Sequence, residues 1–110
     1  MESPAGKAKK RRKAKQEQKP KRQPRYHVVL WNDDHHSYAY VVVMMHDLFS
    51  HPPERGYVIA REVDTRGKAI VFTTTLEHAE LKRDQIHAFG RDRAIEACKG
   101  SMTATLEAET

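Results

Sequence analysis

A cluster of polar side chains directly follows an apolar segment of the chain. It consists of five consecutive residues, Asn32, Asp33, Asp34, His35 and His36. Ionised carboxylates and an amide carbonyl accept hydrogen bonds, so the first three residues could receive the N–H donors of an ammonium group. A plain turn closed by an Asx-type hydrogen bond is the other interpretation that these residue types allow. The residues alone leave both interpretations open.

The same cluster contains possible metal ligands, but its spacing does not favour a metal site. Adjacent residues seldom converge on one ion, and the chain has no two histidines at the four-residue spacing of a helix face. Catalysis is not favoured either, because paired carboxylates need a cleft that drives their pKa values apart, and Cys98 has no histidine near it in sequence. We therefore predict that the protein is not an enzyme and uses no metal or other cofactor.

The polar cluster lies between a predicted strand and a predicted helix. Residues 26–31 are dense in β-branched and aromatic side chains, which predicts a strand that ends at the Asn-Asp-Asp turn. Ser37 can cap a helix over residues 38–50. Apolar residues of that helix fall at i, i+3, i+4 and i+7 and form one face, comprising Val41, Met44, Met45 and Leu48.

Two further helices and two further strands complete the predicted fold. Pro52 and Pro53 end the first helix, Gly67 ends the second, and Thr74 with Glu77 predicts a capping box at the start of the third. These later elements are a helix over 54–64, a strand over 68–75, a helix from about 76 to 93 and a strand over 101–107. The predicted class is α+β, a small three-stranded antiparallel sheet covered by three helices in β-α-α-β-α-β order.

Basic residues are concentrated at the amino-terminal end of the chain. Residues 1–25 contain eleven Lys or Arg and two Glu residues, whereas the remaining 85 contain nine basic and thirteen acidic residues. After Met1 this segment has no aliphatic side chain larger than alanine, so it cannot bury enough apolar surface to offset the entropy of ordering. We predict a disordered basic tail over 1–25 and a folded domain over 26–110. Neutralisation of phosphates by this tail makes a small nucleic-acid- or ribosome-associated protein the alternative function.

Composition also bears on where the protein resides. No run approaches the roughly 20 apolar residues of a membrane span, and the start of the chain lacks the apolar core of a secretory signal. A single cysteine rules out an internal disulfide, which is typical of a reducing compartment. We expect a soluble, cytoplasmic protein.

Several short motifs, taken together, resemble a known family. They are YHVVLWNDD at 26–34, Leu48-Phe49 at the end of the first helix, GKAI at 67–70, EHAELK at 77–82 and ATLE at 104–107. In this order they resemble ClpS, the adaptor of the ATP-dependent Clp protease, over nearly all of residues 26–108. The set is specific, although each piece alone is short.

The resemblance implies an N-degron receptor. Such proteins bind the free amino terminus of substrate proteins whose first residue is bulky and apolar, and deliver them to a ClpA- or ClpC-type AAA+ unfoldase. It implies a monomer with no membrane partner, and the tail adds at most non-specific contact with polyanions.

By position, the resemblance also implies roles for individual residues. Asn32 and Asp33 would hold the α-ammonium group, with Asp34 supporting their loop. Glu77 and Lys82 match the charged positions through which the family docks on the unfoldase. The hydrophobic pocket for the first side chain would consist of Tyr38 at its gate, Val41, Ala60, Val63 and Met102.

The chain departs from the family pattern at three positions and in one loop. Asp64 stands where a histidine usually helps to hold the α-ammonium group, and a carboxylate could accept from that group more strongly. Tyr38 replaces a common methionine, and His36 replaces a common threonine. We expect His36 at the rim of the site, close to the substrate. The loop over 94–101 is longer than usual and could reshape the pocket wall.

Overall fold

The computed structural model describes residues 23–110 of the chain. Over this range the chain forms three strands and three helices in the predicted β-α-α-β-α-β order. They are β1 (Tyr26–Trp31), α1 (Tyr38–Phe49), α2 (Pro53–Arg66), β2 (Lys68–Thr74), α3 (Leu76–His87) and β3 (Thr103–Ala108). The strands form one antiparallel sheet that shares a single core with the helices, which confirms the predicted α+β class.

Most of the predicted tail lies outside the described residues. Of its last three residues, Arg25 is bonded to the sheet region. Its carbonyl accepts from the Glu109 N–H at 2.8 Å, and its guanidinium donates to the Thr73 carbonyl at 3.1 Å. The hydrogen-bonded structure therefore includes Arg25, the last residue of the predicted tail.

Strand β1 lies at the centre of the sheet, in the order β2-β1-β3. Its consecutive residues Val28, Val29 and Leu30 are all no more than 1% exposed, because a strand flanks β1 on each side and Val28 and Leu30 belong to the core. The pairing with β2 shifts between Val28 and Val29, which produces a bulge at Val71. The Val71 carbonyl accepts a hydrogen bond from His51 Nε2 at 2.8 Å, so the bulge is fastened to the segment between α1 and α2.

Helices α1 and α2 pack closely against each other. The predicted apolar face of α1 is buried at Val41, Met44 and Met45. On α2, a Cβ added to Gly56 would lie 3.0 Å from the Cα of Val42 on α1. The absence of a side chain at Gly56 therefore allows the close backbone approach that brings the two inward faces together.

The helix start predicted at Thr74 is wrong by one residue. Thr74 pairs with Tyr26 as the last residue of β2, so its backbone belongs to the sheet. Thr75 is the cap instead, and its hydroxyl accepts from the His78 N–H at 3.4 Å. The Thr74 hydroxyl bonds to the His78 ring at 3.1 Å, and Glu77 takes no part in the cap.

Helix α3 also ends earlier than predicted, at His87 rather than near residue 93. His87 Nε2 accepts from the Ala104 N–H at 3.0 Å, and Gly90 takes a positive φ of 102° that turns the chain away. Residues 90–101 then form a loop, and Ser101 bonds back to the Gly90 N–H at 2.7 Å, so β3 begins two residues later than predicted. Among residues 23–110, no helix has the length and apolar character needed to cross a membrane.

Candidate functional site

The Asn-Asp-Asp turn leaves the sheet at the end of β1. The Asn32 N–H donates to the Gly67 carbonyl at 2.9 Å, which ties the turn to the residue that ends α2. The side chains of Asn32 and Asp34 are exposed, whereas Asp33 is half-buried. The three predicted acceptors thus lie next to one another at the surface, with Asp33 the most enclosed.

The two oxygens of Asp33 have different environments. Oδ1 accepts from the His35 N–H at 3.0 Å and from Nδ1 of His36. The first of these contacts is the Asx-type turn that the residues alone left open as an alternative. Within residues 23–110, no group bonds to Oδ2. The side chain is 38% exposed, so this oxygen can accept from a ligand while Oδ1 is held.

His36, which was expected at the rim of the site, is largely enclosed. Its side chain is only 3% exposed, and it lies between Asp33 and the loop over 90–101. Nε2 is 2.9 Å from the Gly100 carbonyl and 3.3 Å from Sγ of Cys98, and the ring packs against Tyr40 with 4.6 Å between centroids. His36 therefore supports Asp33 from beneath, and little of its ring is accessible to a ligand.

Asp92, a residue that the sequence did not single out, fixes this loop to the start of α1. It is 5% exposed. Its Oδ2 accepts from the Ser37 N–H at 2.7 Å, and Oδ1 accepts from the Ala94 N–H at 2.9 Å. Burial alone would raise the pKa of Asp92, but the hydrogen bonds from Ser37 and Ala94 and the nearby His36 lower it below the ordinary 3.8. Asp92 is therefore held as a buried carboxylate that braces the cap of α1.

A polar cleft of about 390 Å³ opens beside Asp33. It lies between the turn after β1 and the end of the loop over 90–101. Its lining residues are Asp33, His35, His36, Ala97, Lys99, Gly100 and Ser101. In the part of the chain that the structure describes, no group of three His, Cys, Asp or Glu side chains is arranged to hold a metal ion. The cleft thus combines a partly free carboxylate with backbone and hydroxyl groups.

The residues predicted to form the hydrophobic pocket do not border this cleft. Val41, Ala60, Val63 and Met102 are between 2% and 4% exposed and belong to the core. Tyr38 is half-buried and packs against that core from its edge. The structure brings these side chains together in one apolar cluster.

Tyr38 and Asp64 form a direct link between α1 and α2. The Tyr38 hydroxyl donates to Oδ2 of Asp64 at 2.6 Å, and the ring of Tyr57 packs edge-on against Tyr38 at 5.5 Å. The hydrogen bond to Asp64 and, to a smaller extent, desolvation raise the pKa of Tyr38 above its ordinary 10.0. Tyr38 is therefore a neutral donor at physiological pH, and one oxygen of Asp64 is already engaged.

The two predicted docking residues lie on α3 in different environments. Glu77 is exposed in the first turn. Lys82 is half-buried, because its ammonium donates to the Leu48 carbonyl at 2.6 Å and lies 5.5 Å from the centroid of the Phe49 ring. Lys82 thus satisfies the carboxyl end of α1. Leu81, which the sequence analysis did not single out, is 52% exposed four residues after Glu77 on the same helix.

Known proteins share this sequence pattern and this fold. The family model described as ATP-dependent Clp protease adaptor protein ClpS matches residues 21–97. The ATP-dependent Clp protease adapter protein ClpS of Desulforapulum autotrophicum is 32% identical over 87 residues, which are 79% of this chain and 84% of that protein. The protein of the same name from Vibrio cholerae serotype O1 is 39% identical over 67 residues, 61% of this chain and 63% of that protein. The structure of Agrobacterium tumefaciens ClpS2 bound to L-phenylalaninamide matches this fold with a TM-score of 0.69 and 24% identity, covering 80% of this chain and 100% of that one.

Proposed function

Because this chain belongs to the family of ATP-dependent Clp protease adaptor proteins, we propose that it binds the free amino terminus of substrates whose first residue is bulky and apolar. The observation that carries this proposal is the environment of Asp33. Its Oδ1 is held by His35 and His36, and its Oδ2 has no partner within residues 23–110. A half-buried carboxylate with one fixed and one free oxygen suits an ammonium group, because a charge-assisted hydrogen bond forms without reorientation.

In this proposal the α-ammonium group lies against the turn after β1. Oδ2 of Asp33 accepts one of its N–H donors, and the exposed side chain of Asn32 accepts from the ammonium or the first peptide unit. Asp34 adds negative charge beside them. L-Phenylalaninamide, the ligand of the Agrobacterium ClpS2 structure, carries the two features that this arrangement would recognise, a free amine and a large apolar side chain.

The first side chain of the substrate would enter the apolar cluster between α1 and α2. Val41, Ala60 and Val63 form its inner wall, Met102 its floor and Tyr38 its gate. Tyr38 and Asp64 are joined across the two helices, so entry requires the Tyr38 ring to move or its hydrogen bond to break. Asp64 then becomes available as a second acceptor for the ammonium group.

A magnitude check favours reversible binding. Burial of one large apolar side chain contributes about 1.5–3 kcal/mol. Two or three charge-assisted hydrogen bonds contribute about 1.5–3 kcal/mol each. After association costs, we expect a free energy of about −8 kcal/mol, which is a micromolar dissociation constant. This strength suits an adaptor that must release its substrate.

The test is a calorimetric titration with peptides that differ only at the first residue. Peptides that begin with Phe, Leu, Tyr or Trp should bind in the micromolar range, whereas a peptide that begins with Ala should leave the pocket unfilled and bind at least tenfold more weakly. The Phe peptide with an acetylated amine should bind at least tenfold more weakly than the free form, because it carries no charge. Equal, weak binding of all peptides, together with RNA association that requires residues 1–25, would instead support the nucleic-acid-associated alternative.

Delivery to a ClpA- or ClpC-type AAA+ unfoldase is the second part of the proposal. Glu77 is exposed on α3 and lies one helical turn from the exposed Leu81, so a charged and an apolar group are presented together. Glu77→Lys should abolish degradation of a Phe-bearing substrate by the unfoldase with its peptidase, while peptide affinity stays unchanged. Degradation at the wild-type rate would place the docking surface elsewhere. We expect the adaptor to act as a monomer, and sedimentation of the free protein tests this.

A further inference from the structure

A lysine from the long loop before β3 lines the polar cleft beside Asp33. This residue, Lys99, is exposed, and it forms no salt bridge with any group in residues 23–110. Among the described residues that line the cleft, Asp33 is the one carboxylate. The cleft therefore contains one carboxylate, whose proposed ligand is the substrate ammonium group, and one lysine cation to which the proposed function gives no ligand.

The backbone on either side of Lys99 is fixed. Before it, the buried Cys98 accepts at Sγ from the Asp92 N–H at 3.1 Å, and its thiol donates to the Gly100 carbonyl at 3.2 Å. After it, the same carbonyl lies 2.9 Å from Nε2 of His36. The Lys99 backbone is thus held beside the turn after β1. Only its side chain needs to be ordered when it contacts a ligand, which limits the entropy cost of binding.

The geometry of an extended peptide brings its second side chain to this cleft. In the proposed complex the amine is held at Asp33, and the first side chain enters the apolar cluster between α1 and α2. The residues of that cluster do not border the cleft, whereas Asp33 does. Successive side chains of an extended chain point to opposite sides. A peptide bound in this way therefore directs its second side chain away from the apolar cluster and towards the cleft that Lys99 lines.

We propose that Lys99 selects substrates that carry an acidic residue, Asp or Glu, at the second position. The inference rests on the proposed function and adds a second determinant of substrate choice to it. Without such a cation, Asp33 and Asp34 would repel an acidic side chain beside the substrate amine, because like charges raise the energy of the complex. Lys99 therefore reverses the preference that the acidic turn alone would produce.

The test is a calorimetric titration of the full chain with three peptides that share a free amino-terminal Phe. They differ only at the second residue, which is Asp, Asn or Lys. Asn matches Asp in size and carries no charge, so the ratio of the two affinities isolates the effect of charge. At low salt the Asp peptide should bind roughly two- to fivefold more tightly than the Asn peptide, the range expected for an exposed ion pair. The Lys peptide should bind more weakly than the Asn peptide.

Variants at Lys99 assign the preference to this side chain. Lys99→Gln should bind the Asp peptide no more tightly than the Asn peptide, whereas Lys99→Arg should keep the wild-type order. The substitutions lie at an exposed position, so the fold should tolerate them. The matched control is Arg93→Gln, at an exposed basic residue of the same loop that does not line the cleft, and it should keep the wild-type ratio.

Failure of this inference differs from failure of the proposed function. Equal micromolar binding of the Asp and Asn peptides to the wild type, or a Lys99→Gln variant that keeps the wild-type ratio, overturns the role of Lys99 alone. Absence of binding by all three Phe peptides overturns the proposed function itself. The preference for Asp should also fade at about 0.5 M NaCl, where exposed charges are screened, and an unchanged ratio there would contradict the ion pair.

Discussion

Tyr38 on α1 donates a hydrogen bond to Oδ2 of Asp64 on α2 at 2.6 Å. Tyr38 lies three positions before the buried Val41 on α1. Asp64 directly follows the buried Val63 on α2. The bond therefore closes the exposed end of the α1–α2 interface. It also joins the two residues to which the resemblance to the ClpS family assigns the gate and a second ammonium acceptor.

Tyr38→Phe should increase the affinity for a peptide with a bulky first residue and a free amine. The ring and its packing against Tyr57 remain, but Oδ2 of Asp64 becomes free to accept from the ammonium group. We expect only a small gain in affinity, because a hydrogen bond that is exposed to water is largely screened and contributes little. Calorimetry measures the change, and Tyr57→Phe is the matched control that should leave affinity unchanged. Weaker binding of Tyr38→Phe would show that the phenol itself helps to hold the peptide.

Asp33→Ala should lose most of the binding to free-amine peptides. Removal of a charged acceptor costs about 2 kcal/mol or more, roughly a thirtyfold rise in the dissociation constant. The control is Asp47→Ala on α1, an exposed carboxylate outside the site, which should bind as the wild type does. Unchanged calorimetric affinity of Asp33→Ala would remove this residue from the site.

Lys82→Met should destabilise the fold even though it removes a surface charge. Methionine keeps the apolar stem against Phe49 but cannot donate to the Leu48 carbonyl at the carboxyl end of α1. The expected loss in the free energy of unfolding is about 1–2 kcal/mol, measured by urea denaturation. Lys68→Met removes an exposed pair with Glu107 at 3.5 Å and should cost about 0.5 kcal/mol or less. Equal effects of the two variants would mean that the Lys82 contact contributes nothing to stability.

Asp92→Asn should destabilise the protein in a pH-dependent way. The pKa of Asp92 is lower in the folded state than its ordinary 3.8. The ionised carboxylate therefore stabilises the fold above about pH 4, and this stabilisation is lost as the pH falls through the folded-state pKa. We expect Asp92→Asn to cost about 1–3 kcal/mol at pH 7, and the difference from wild type to shrink below about pH 4. Urea denaturation at both pH values measures it.

The control for that experiment is Asp84→Asn, at a side chain that is 65% exposed. It should change the free energy of unfolding by no more than about 0.5 kcal/mol at either pH. A pH-independent loss in Asp92→Asn would indicate that packing, and not the charge of Asp92, supports the loop.

Local patterns in the sequence were sufficient to predict the fold. The strand at 26–31 has the predicted bounds, and the Ser37 cap of α1 forms through the Tyr40 N–H at 3.1 Å. The apolar side chains spaced three and four residues apart placed Val41 in the core correctly, because helix periodicity depends only on residues close together in sequence. The error at Thr74 also has a local origin, since two adjacent threonines could each cap a helix and only strand pairing decides between them.

The sequence by itself thus determined the order of elements, the apolar faces and the polar turn at Asn32 to Asp34. Tertiary structure alone decided which groups surround that turn. The contacts of Tyr38 with Asp64, Lys82 with Leu48, and His36 with Cys98 join residues 26, 34 and 62 positions apart. No periodicity or capping rule links residues at such separations, because their meeting depends on how helices and the long loop pack on the sheet. For this reason the polar turn could be predicted, whereas the enclosed histidine beneath it and the hydrogen bond between Tyr38 and Asp64 could not.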